Sequence, residues 1–331
     1  MTTFGPQTTL FGHKLKSPIL LAPIGVQGIL HPEAELGTAT ASKDLQVPII
    51  LSTAATRSME EVAEVLGDTH RWYQLYWYVA SFIVTTQDPL FFRPYSDDIT
   101  LSILNRAKKN GYSALVVTLD TMSIGWRPHD LETAYLPFIH SYGCQNGFAD
   151  PVFMARYGKQ PQTKIHMPFP YNPKEINERF AQGDPAAKEQ TYMGTEWIKD
   201  MSSGRQRSWD ELKLIRDNWG GPLLLKGIQC AADAELAIDA GANGIVVSNH
   251  GGRQVDGGVS ALWSLEHIMK STKVKEAQAA GKFTVLFDSS VRTGPDIFKA
   301  LALGAQAVLR KSRFLSHSSS KSCLWSISNC H

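Results

Sequence analysis

The chain has 331 residues, of which 43% are hydrophobic and 19% are charged. This composition excludes global disorder and is sufficient for two domains of about 150 residues, or for one α/β barrel of about 250 residues with additions. The 33 Lys and Arg residues nearly balance the 31 Asp and Glu residues, and a net charge of +2 argues against a nucleic-acid partner. Neither an apolar run of about 18 residues nor a secretory leader is visible, so we expect no membrane span and a cytoplasmic location.

Eight short apolar segments recur along the chain, and each ends in small or polar residues. Their length and their Val, Ile and Leu content are typical of strands buried on both faces. They are Pro18–Gly25, Pro48–Ala55, Trp72–Trp77, Ala114–Asp120, Pro222–Gly227, Gly244–His250, Thr284–Ser290 and Ala305–Leu309.

Helical patterns lie between several of these segments. The predicted helices are Ser58–Leu66, Asp97–Asn110, Trp209–Asp217, Ala231–Ala240 and Pro295–Leu303. Alternating strands and helices indicate parallel strands with right-handed crossovers. Eight strands favour a closed (β/α)8 TIM barrel, an α/β fold, over an open doubly wound sheet. We therefore predict a barrel domain over residues 1–309.

Residues 138–208 interrupt the alternation after the fourth strand. The segment is too long for an ordinary loop and is rich in Gly, Pro, Gln and Asn. Because the carboxyl ends of the strands carry the chemistry in this fold, we expect the segment to form a lid or a subunit contact over that rim.

Polar residues end seven of the predicted strands, and the sixth strand ends in the most informative group. His250 is a candidate base, and Asp120 at the end of the fourth strand could orient it. Arg127 and Arg253 suggest bidentate recognition of a small carboxylate, although both could instead be surface salt-bridge partners. Lys226 could stabilise negative charge on a conjugated ring, form a Schiff base or belong to a structural ion pair. No Cys or His pair in the body of the chain has the spacing of metal ligands, so no metal site is predicted.

The motifs at the strand ends resemble those of the FMN-dependent 2-hydroxy-acid oxidases and dehydrogenases. The matching segments are LAPIG (21–25), QLYW (74–77), VVTLDT (116–121), LKGI (225–228), SNHGGRQ (248–254) and DSSVRTGPDIFKALALGAQAV (288–308). GWRPHDL (125–131), followed by the long segment after the fourth strand, most resembles the lactate 2-monooxygenase branch.

The resemblance implies FMN as cofactor and a role for each matching residue. His250 is the implied base, with Asp120 paired to it and Tyr76 on the substrate hydroxyl or the developing charge. Arg127 and Arg253 hold the substrate carboxylate. The implied flavin contacts are Ala22, Pro23, Ile24, Ser52, Gln74, Thr118, Lys226 and Ser248, with Asp288 and Arg292 at the ribityl and phosphate end.

The implied reaction is oxidation of a small, lactate-like L-2-hydroxy acid to the 2-oxo acid or its decarboxylated product. Dioxygen is the expected acceptor. Glycolate, mandelate and longer hydroxy acids stay open as substrates, and so do oxidase and monooxygenase outcomes. Relatives are commonly tetramers, so a homo-oligomer is a further expectation.

Four departures from the family pattern bear on this interpretation. We expect a truncated N-terminal cap that leaves the barrel floor open, with one tyrosine contact to the substrate missing. Residues 78–93 form an atypical insertion, for which we hypothesise a retained intron. Ser290 stands where the family has Gly, and the Ser-rich tail at 310–331 replaces a phosphate-binding Gly-Arg and is expected to be disordered. The alternative function is therefore an inactive or FMN-deficient variant of the same fold.

Overall fold

The computed structural model describes residues 7–77, 97–133 and 135–310, apart from the side chain of residue 129. The predicted insertion at 78–93 and all but the first residue of the predicted tail at 310–331 lie outside this part. Ten strands are described, and eight of them close into a barrel in the order β10-β3-β4-β5-β6-β7-β8-β9. The barrel strands are β3 (Ile19–Leu21), β4 (Ile49–Ser52), β5 (Arg71–Tyr76), β6 (Ala114–Thr118), β7 (Leu223–Ile228), β8 (Gly244–Val247), β9 (Thr284–Phe287) and β10 (Ala307–Arg310).

Every barrel strand pairs in parallel with its neighbours, and β10 closes the ring against β3 with Val308 opposite Ile19. The predicted TIM barrel and all eight predicted strands are confirmed. Most of the observed strands are shorter than the predicted segments at their carboxyl ends. The residues there leave the ladder and turn into the loops of the rim, which is why polar groups follow each apolar run.

Alternate residues of each strand face opposite sides of the barrel wall. Inside the barrel, residues such as Ile50, Val116 and Leu224 form one apolar cluster. Outside it, residues such as Leu51, Val117 and Leu225 pack against the helices. Burial on both faces explains why the strands are continuous apolar runs rather than alternating ones.

The helices surround the barrel, and the five predicted ones are confirmed within a few residues. Sequence signals fix their ends: Ser58 accepts a hydrogen bond from the Glu61 amide at the start of α2, and Thr293 with Asp296 forms a capping box at α13. The helices are α1 (Glu35–Leu45), α2 (Met59–Leu66), α3 (Asp98–Lys109), α4 (Pro128–Glu132), α5 (Gln145–Phe148), α6 (Pro151–Ala155), α7 (Pro173–Ala181), α8 (Pro185–Met201), α9 (Leu212–Trp219), α10 (Ala231–Asp239), α11 (Ala261–Ile268), α12 (Thr272–Ala279) and α13 (Gly294–Ala302). Among the described residues, no helix is long and apolar enough to cross a membrane.

A hairpin closes the amino-terminal end of the barrel. Its strands β1 (Thr8–Leu10) and β2 (His13–Leu15) pair antiparallel, and Leu10 and Leu15 are 1% and 6% exposed. Both belong to the apolar cluster inside the barrel, and the Phe11 ring lies 5.5 Å from the ring of Trp72. The expectation of an open floor is therefore wrong, because the hairpin before β3 fills this end of the barrel with apolar side chains.

The long segment after β6 is mostly helical. It contains a 3-10 turn at Pro137–His140 and helices α5 to α8. Its beginning is tied to the carboxyl end of β4, because the Asn146 side-chain amide donates to the carbonyl oxygens of Ser52 at 3.3 Å and Thr53 at 3.0 Å. Asp150 holds it to Arg106 of α3 at 3.1 Å. The segment therefore starts beside the rim, and its role as a lid stays a prediction.

Candidate active site

An Asp–His pair bridges the loops that follow two barrel strands. Asp120 lies two residues after β6 and His250 three residues after β8, and Asp120 Oδ1 is 2.8 Å from His250 Nδ1. The side chains are only 8% and 13% exposed. With the Nδ1 proton donated to Asp120, the neutral imidazole has its lone pair on Nε2. The predicted contact between the two side chains is present, and the role of His250 as a base stays a prediction.

The backbone at His250 is strained. Its φ of 57° lies in the left-handed region that non-glycine residues rarely adopt. Ser248 Oγ accepts a hydrogen bond from the His250 amide at 3.1 Å, and Ser289 Oγ accepts one from the Gly251 amide at 3.1 Å. Such strain costs on the order of 1–3 kcal/mol and persists where the surroundings over-determine it, which is typical of functional sites.

Lys226 is the buried cation of the rim, with 1% of its side chain exposed. Its Nζ donates to Ser248 Oγ at 3.0 Å and lies 3.6 Å from Asp288 Oδ2 and 3.7 Å from Asp120 Oδ2. Burial lowers the pKa of Lys226, but the charges of Asp288 and Asp120 outweigh it, so the pKa lies above its ordinary value. A charged ammonium suits charge stabilisation or an ion pair, whereas a Schiff base needs a neutral amine.

A row of buried polar side chains crosses the ends of β4, β5 and β6. Ser52 Oγ donates to Gln74 Oε1 at 3.0 Å, and Gln74 Nε2 donates to Thr118 Oγ1 at 2.9 Å. All three side chains are at most 3% exposed. The predicted flavin contacts Ala22, Pro23 and Ile24 follow β3 directly and are apolar, with Ala22 and Pro23 buried and Ile24 half-buried. Polar groups that are satisfied this deep in a barrel indicate a face built for a ligand with polar edges.

Tyr76 ends β5 and is partly buried. Burial raises the pKa of its phenol, Lys226 lowers it and Asp120 raises it, with smaller lowering effects from Arg127 and Arg253. The structure therefore brings the predicted phenol, cation, base partner and both arginines into one electrostatic neighbourhood.

The two predicted carboxylate binders converge on Asp130 of α4. Asp130 Oδ2 lies 3.0 Å from Arg253 Nη2 and 3.7 Å from Arg127 Nη1. Burial lowers the pKa of Arg127, and the positive charge of Arg253 lowers it further. Two arginines that one carboxylate can bridge form a site able to take the carboxylate of a small acid.

The predicted ribityl and phosphate end lies between β9 and α13. Asp288 is fully buried and accepts a hydrogen bond from Ser289 Oγ at 2.9 Å, whereas Arg292 is exposed. Ser289 and Ser290 both have a positive φ, 82° and 60°. The left-handed backbone at Ser290 explains why glycine suits this position in the family pattern.

These residues fit the chemistry of FMN. Ser52, Gln74 and Thr118 offer polar contacts for the edge of a ring, and Lys226 places a buried positive charge beside them. Asp288 can accept hydrogen bonds from hydroxyl groups but cannot hold a phosphate, and Arg292 can.

Sequence reasoning missed three polar residues of this rim. Thr121 Oγ1 lies 3.1 Å from His250 Nδ1 and donates to Asp120 Oδ1 at 3.2 Å. Gln254 and Asp130 contact the predicted arginines. Their positions next to predicted residues, within VVTLDT, SNHGGRQ and GWRPHDL, were the only available signal.

Comparisons with known proteins agree with this geometry. Residues 2–315 match the model of the FMN-dependent dehydrogenase family, so the chain is an FMN-dependent dehydrogenase family member. It is 40% identical over 300 residues to an FMN-dependent alpha-hydroxy acid dehydrogenase of Penicillium citrinum, covering 91% of this chain and 63% of that protein. It is 34% identical over 299 residues to an L-lactate oxidase of Lysinibacillus sphaericus, covering 90% of this chain and 64% of that protein.

A solved structure supports the same family. A mandelate oxidase variant with (S)-mandelic acid superposes with a TM-score of 0.67 at 26% identity, covering 98% of this chain and 74% of that one. The chain spans less than two thirds of the length of the two curated relatives above. The predicted family, the barrel and the dependence of the family on FMN are thus confirmed.

Proposed function

We propose that this chain oxidises a small L-2-hydroxy acid to the 2-oxo acid with FMN as its cofactor. The observation that carries the proposal is the Asp120–His250 pair, 2.8 Å apart, beside two arginines that share a carboxylate partner. Base, carboxylate binders and a buried cation on one rim match the needs of an acid that must lose a hydroxyl proton and an α-hydrogen.

Each residue has a distinct task in this proposal. Arg127 and Arg253 bind the substrate carboxylate, which replaces Asp130 as their ion-pair partner. His250 Nε2 takes a proton from the substrate hydroxyl or from Cα, and Asp120 stabilises the imidazolium that forms. Tyr76 donates its phenolic hydrogen bond to the substrate oxygen, because its raised pKa keeps it protonated.

Bound FMN supplies the two-electron acceptor for this reaction. Lys226 and Ser248 hold its polar ring edge, Ser52, Gln74 and Thr118 extend that contact, and Asp288 with Arg292 holds the ribityl and phosphate end. Ala22, Pro23 and Ile24, directly after β3, form the apolar wall. Lys226 places its positive charge where negative charge would accumulate.

The finer assignments are lactate as substrate and dioxygen as acceptor. The L-lactate oxidase relative supports lactate, and the mandelate oxidase structure supports an aromatic hydroxy acid as the competitor. A monooxygenase outcome requires that the 2-oxo acid stays bound while a segment of the chain covers the site. The helices after β6 are the candidate for this covering segment. A homo-oligomer and a cytoplasmic location complete the proposal.

The test is a visible absorption spectrum of the purified chain with added FMN, followed by anaerobic L-lactate and, separately, L-mandelate. We expect a protein-bound flavin spectrum that bleaches with one of the two acids and not with D-lactate. Pyruvate or acetate, measured after air is readmitted, distinguishes oxidase from monooxygenase.

Three results would each contradict a different part of the proposal. Bound flavin that neither acid bleaches would reject the substrate class. Absence of bound flavin would favour the alternative function, an FMN-deficient chain of the same fold. An Arg292→Met variant with unchanged flavin affinity would reject Arg292 as the phosphate contact.

A further inference from the structure

Gln254 uses its complete hydrogen-bonding capacity to join two loops of the rim. Its Nε2 donates to the Asp120 carbonyl at 2.9 Å and to the Ser123 carbonyl at 3.0 Å. Its Oε1 accepts from Arg127 Nη2 at 2.6 Å and from the Gly125 amide at 3.3 Å. The opposite amide orientation would set NH₂ against two donors and oxygen against two carbonyls, so the contacts define a single orientation.

Gly125 makes an independent contact between the same two loops. A Cβ added there would lie 2.8 Å from the Arg253 carbonyl oxygen and 2.9 Å from both Gln254 Cα and the Gln254 carbonyl oxygen. These are backbone atoms that cannot rotate away. The backbone at 125 therefore packs directly on residues 253–254, and only glycine permits that approach.

The joined loops hold the groups that the proposed reaction needs. Residues 119–127 carry Asp120 and Arg127, while residues 250–254 carry His250 and Arg253. Arg127 Nε also donates to the Arg253 carbonyl at 3.1 Å. Its guanidinium is thus fixed from two sides by the partner loop, and the approach of two like-charged arginines is stabilised by Asp130.

We propose that Gln254 is a positioning residue, which acts through Arg127 to set the geometry of substrate-carboxylate binding. This inference rests on the proposed function. Loss of the amide frees the guanidinium to rotate about its long side chain, and a fixed fork binds a carboxylate better than a mobile one.

The variants separate this role from a general structural one. Gln254→Met keeps the length of the side chain and removes all four hydrogen bonds. Gly125→Ala forces the two loops apart through the backbone of residues 253–254 and leaves the Gln254 side-chain amide in place. Gln278→Met is the matched control, since that amide donates to the Gly304 carbonyl and to Gln306, away from the rim.

The first readout is steady-state kinetics with L-lactate. For Gln254→Met we expect KM to rise about 10- to 100-fold while kcat falls by less than about threefold, because binding is lost equally in the ground and transition states. In an Arg127→Lys background the effect of Gln254→Met on KM should nearly vanish, since the Nη2 partner is already gone. Gly125→Ala should reproduce the rise in KM, and Gln278→Met should leave it unchanged.

The second readout needs no substrate. Hydrogen exchange of peptides spanning residues 119–127 should accelerate in Gln254→Met and stay at the wild-type rate in Gln278→Met. Equal hydrogen-exchange rates in wild type and Gln254→Met would overturn the positioning role of Gln254. This result does not depend on activity, because the flavin assay tests separately whether the chain oxidises a hydroxy acid. Additive KM effects in the double variant, or a joint loss of kcat and flavin affinity at constant KM, also overturn it.

Discussion

The two ends of the barrel bury side chains of opposite character. At the floor, Leu10 and Leu15 of the hairpin fill the barrel mouth with apolar side chains. At the rim, Lys226, Asp120 and Asp288 form a buried charged cluster. Apolar burial stabilises the fold directly, whereas burying charges costs desolvation free energy that their mutual attraction only partly returns.

Backbone strain occurs at both ends but clusters at the rim. His250, Ser289 and Ser290 have positive φ values at the rim, held in place by Ser248 and Asp288 through hydrogen bonds, whereas Phe11 has a positive φ of 48° on the floor hairpin. The rim therefore holds its polar groups in a fixed arrangement at a cost in stability, and substitutions at the two ends should affect different properties. Four predictions test this.

The largest effect is expected for activity at the rim. His250→Gln removes the base while leaving the fold, so kcat should fall by about 10²- to 10⁴-fold, measured by flavin reduction in a stopped-flow experiment. His13→Gln, on the floor hairpin, is the control and should stay within about twofold. A reduction rate in His250→Gln close to the wild-type rate would remove His250 from the proposed mechanism.

The next effect is expected for stability at the floor. Leu10→Ala deletes a side chain that is 1% exposed, and the free energy of unfolding should fall by about 2–5 kcal/mol in urea denaturation. Leu30→Ala, at a side chain that is 46% exposed, should cost less than about 0.5 kcal/mol. Flavin affinity should not change in Leu10→Ala, and a large loss of affinity would show that the two ends are coupled.

A smaller gain is expected when strain is removed at the rim. Ser290→Gly should raise the free energy of unfolding by about 1 kcal/mol, because glycine adopts the left-handed region without steric cost. Gln46→Gly, at a left-handed helix end with φ 54°, should give a similar gain. Isothermal titration with FMN distinguishes them, since only Ser290→Gly should raise the affinity. Equal affinities would place Ser290 outside the phosphate site.

The smallest expected effect is a change in pH dependence at Glu35, a fully buried carboxyl beside the loop after β3. Burial raises its pKa, and hydrogen bonds from the amides of Thr56 and Gln27 only partly oppose this. The folded state therefore holds a proton that the unfolded chain releases, so stability falls as the pH rises from about 4.5 through the raised pKa. Glu35→Gln should flatten this slope in denaturation curves between pH 4 and 7. An unchanged slope would mean that other groups cause it.

Local sequence signals were sufficient for most of the barrel. Continuous apolar runs predicted strands buried on both faces, and capping residues such as Ser58 placed helix starts within a few residues. The hairpin at Thr8–Leu15 was missed, because two three-residue strands carry little periodicity and gain their stability only by packing inside the barrel.

Strand periodicity and strand-end motifs are local properties, and they were enough to predict the barrel and the family, and to propose which groups react. How these groups meet follows from the tertiary structure alone. The contacts of Gln254 with Asp120 and Arg127 join residues more than 120 positions apart, and so does the Asp130 bridge to Arg253. Contacts at such separations depend on closure of the barrel, which brings the strand ends to one rim, and no local pattern records them.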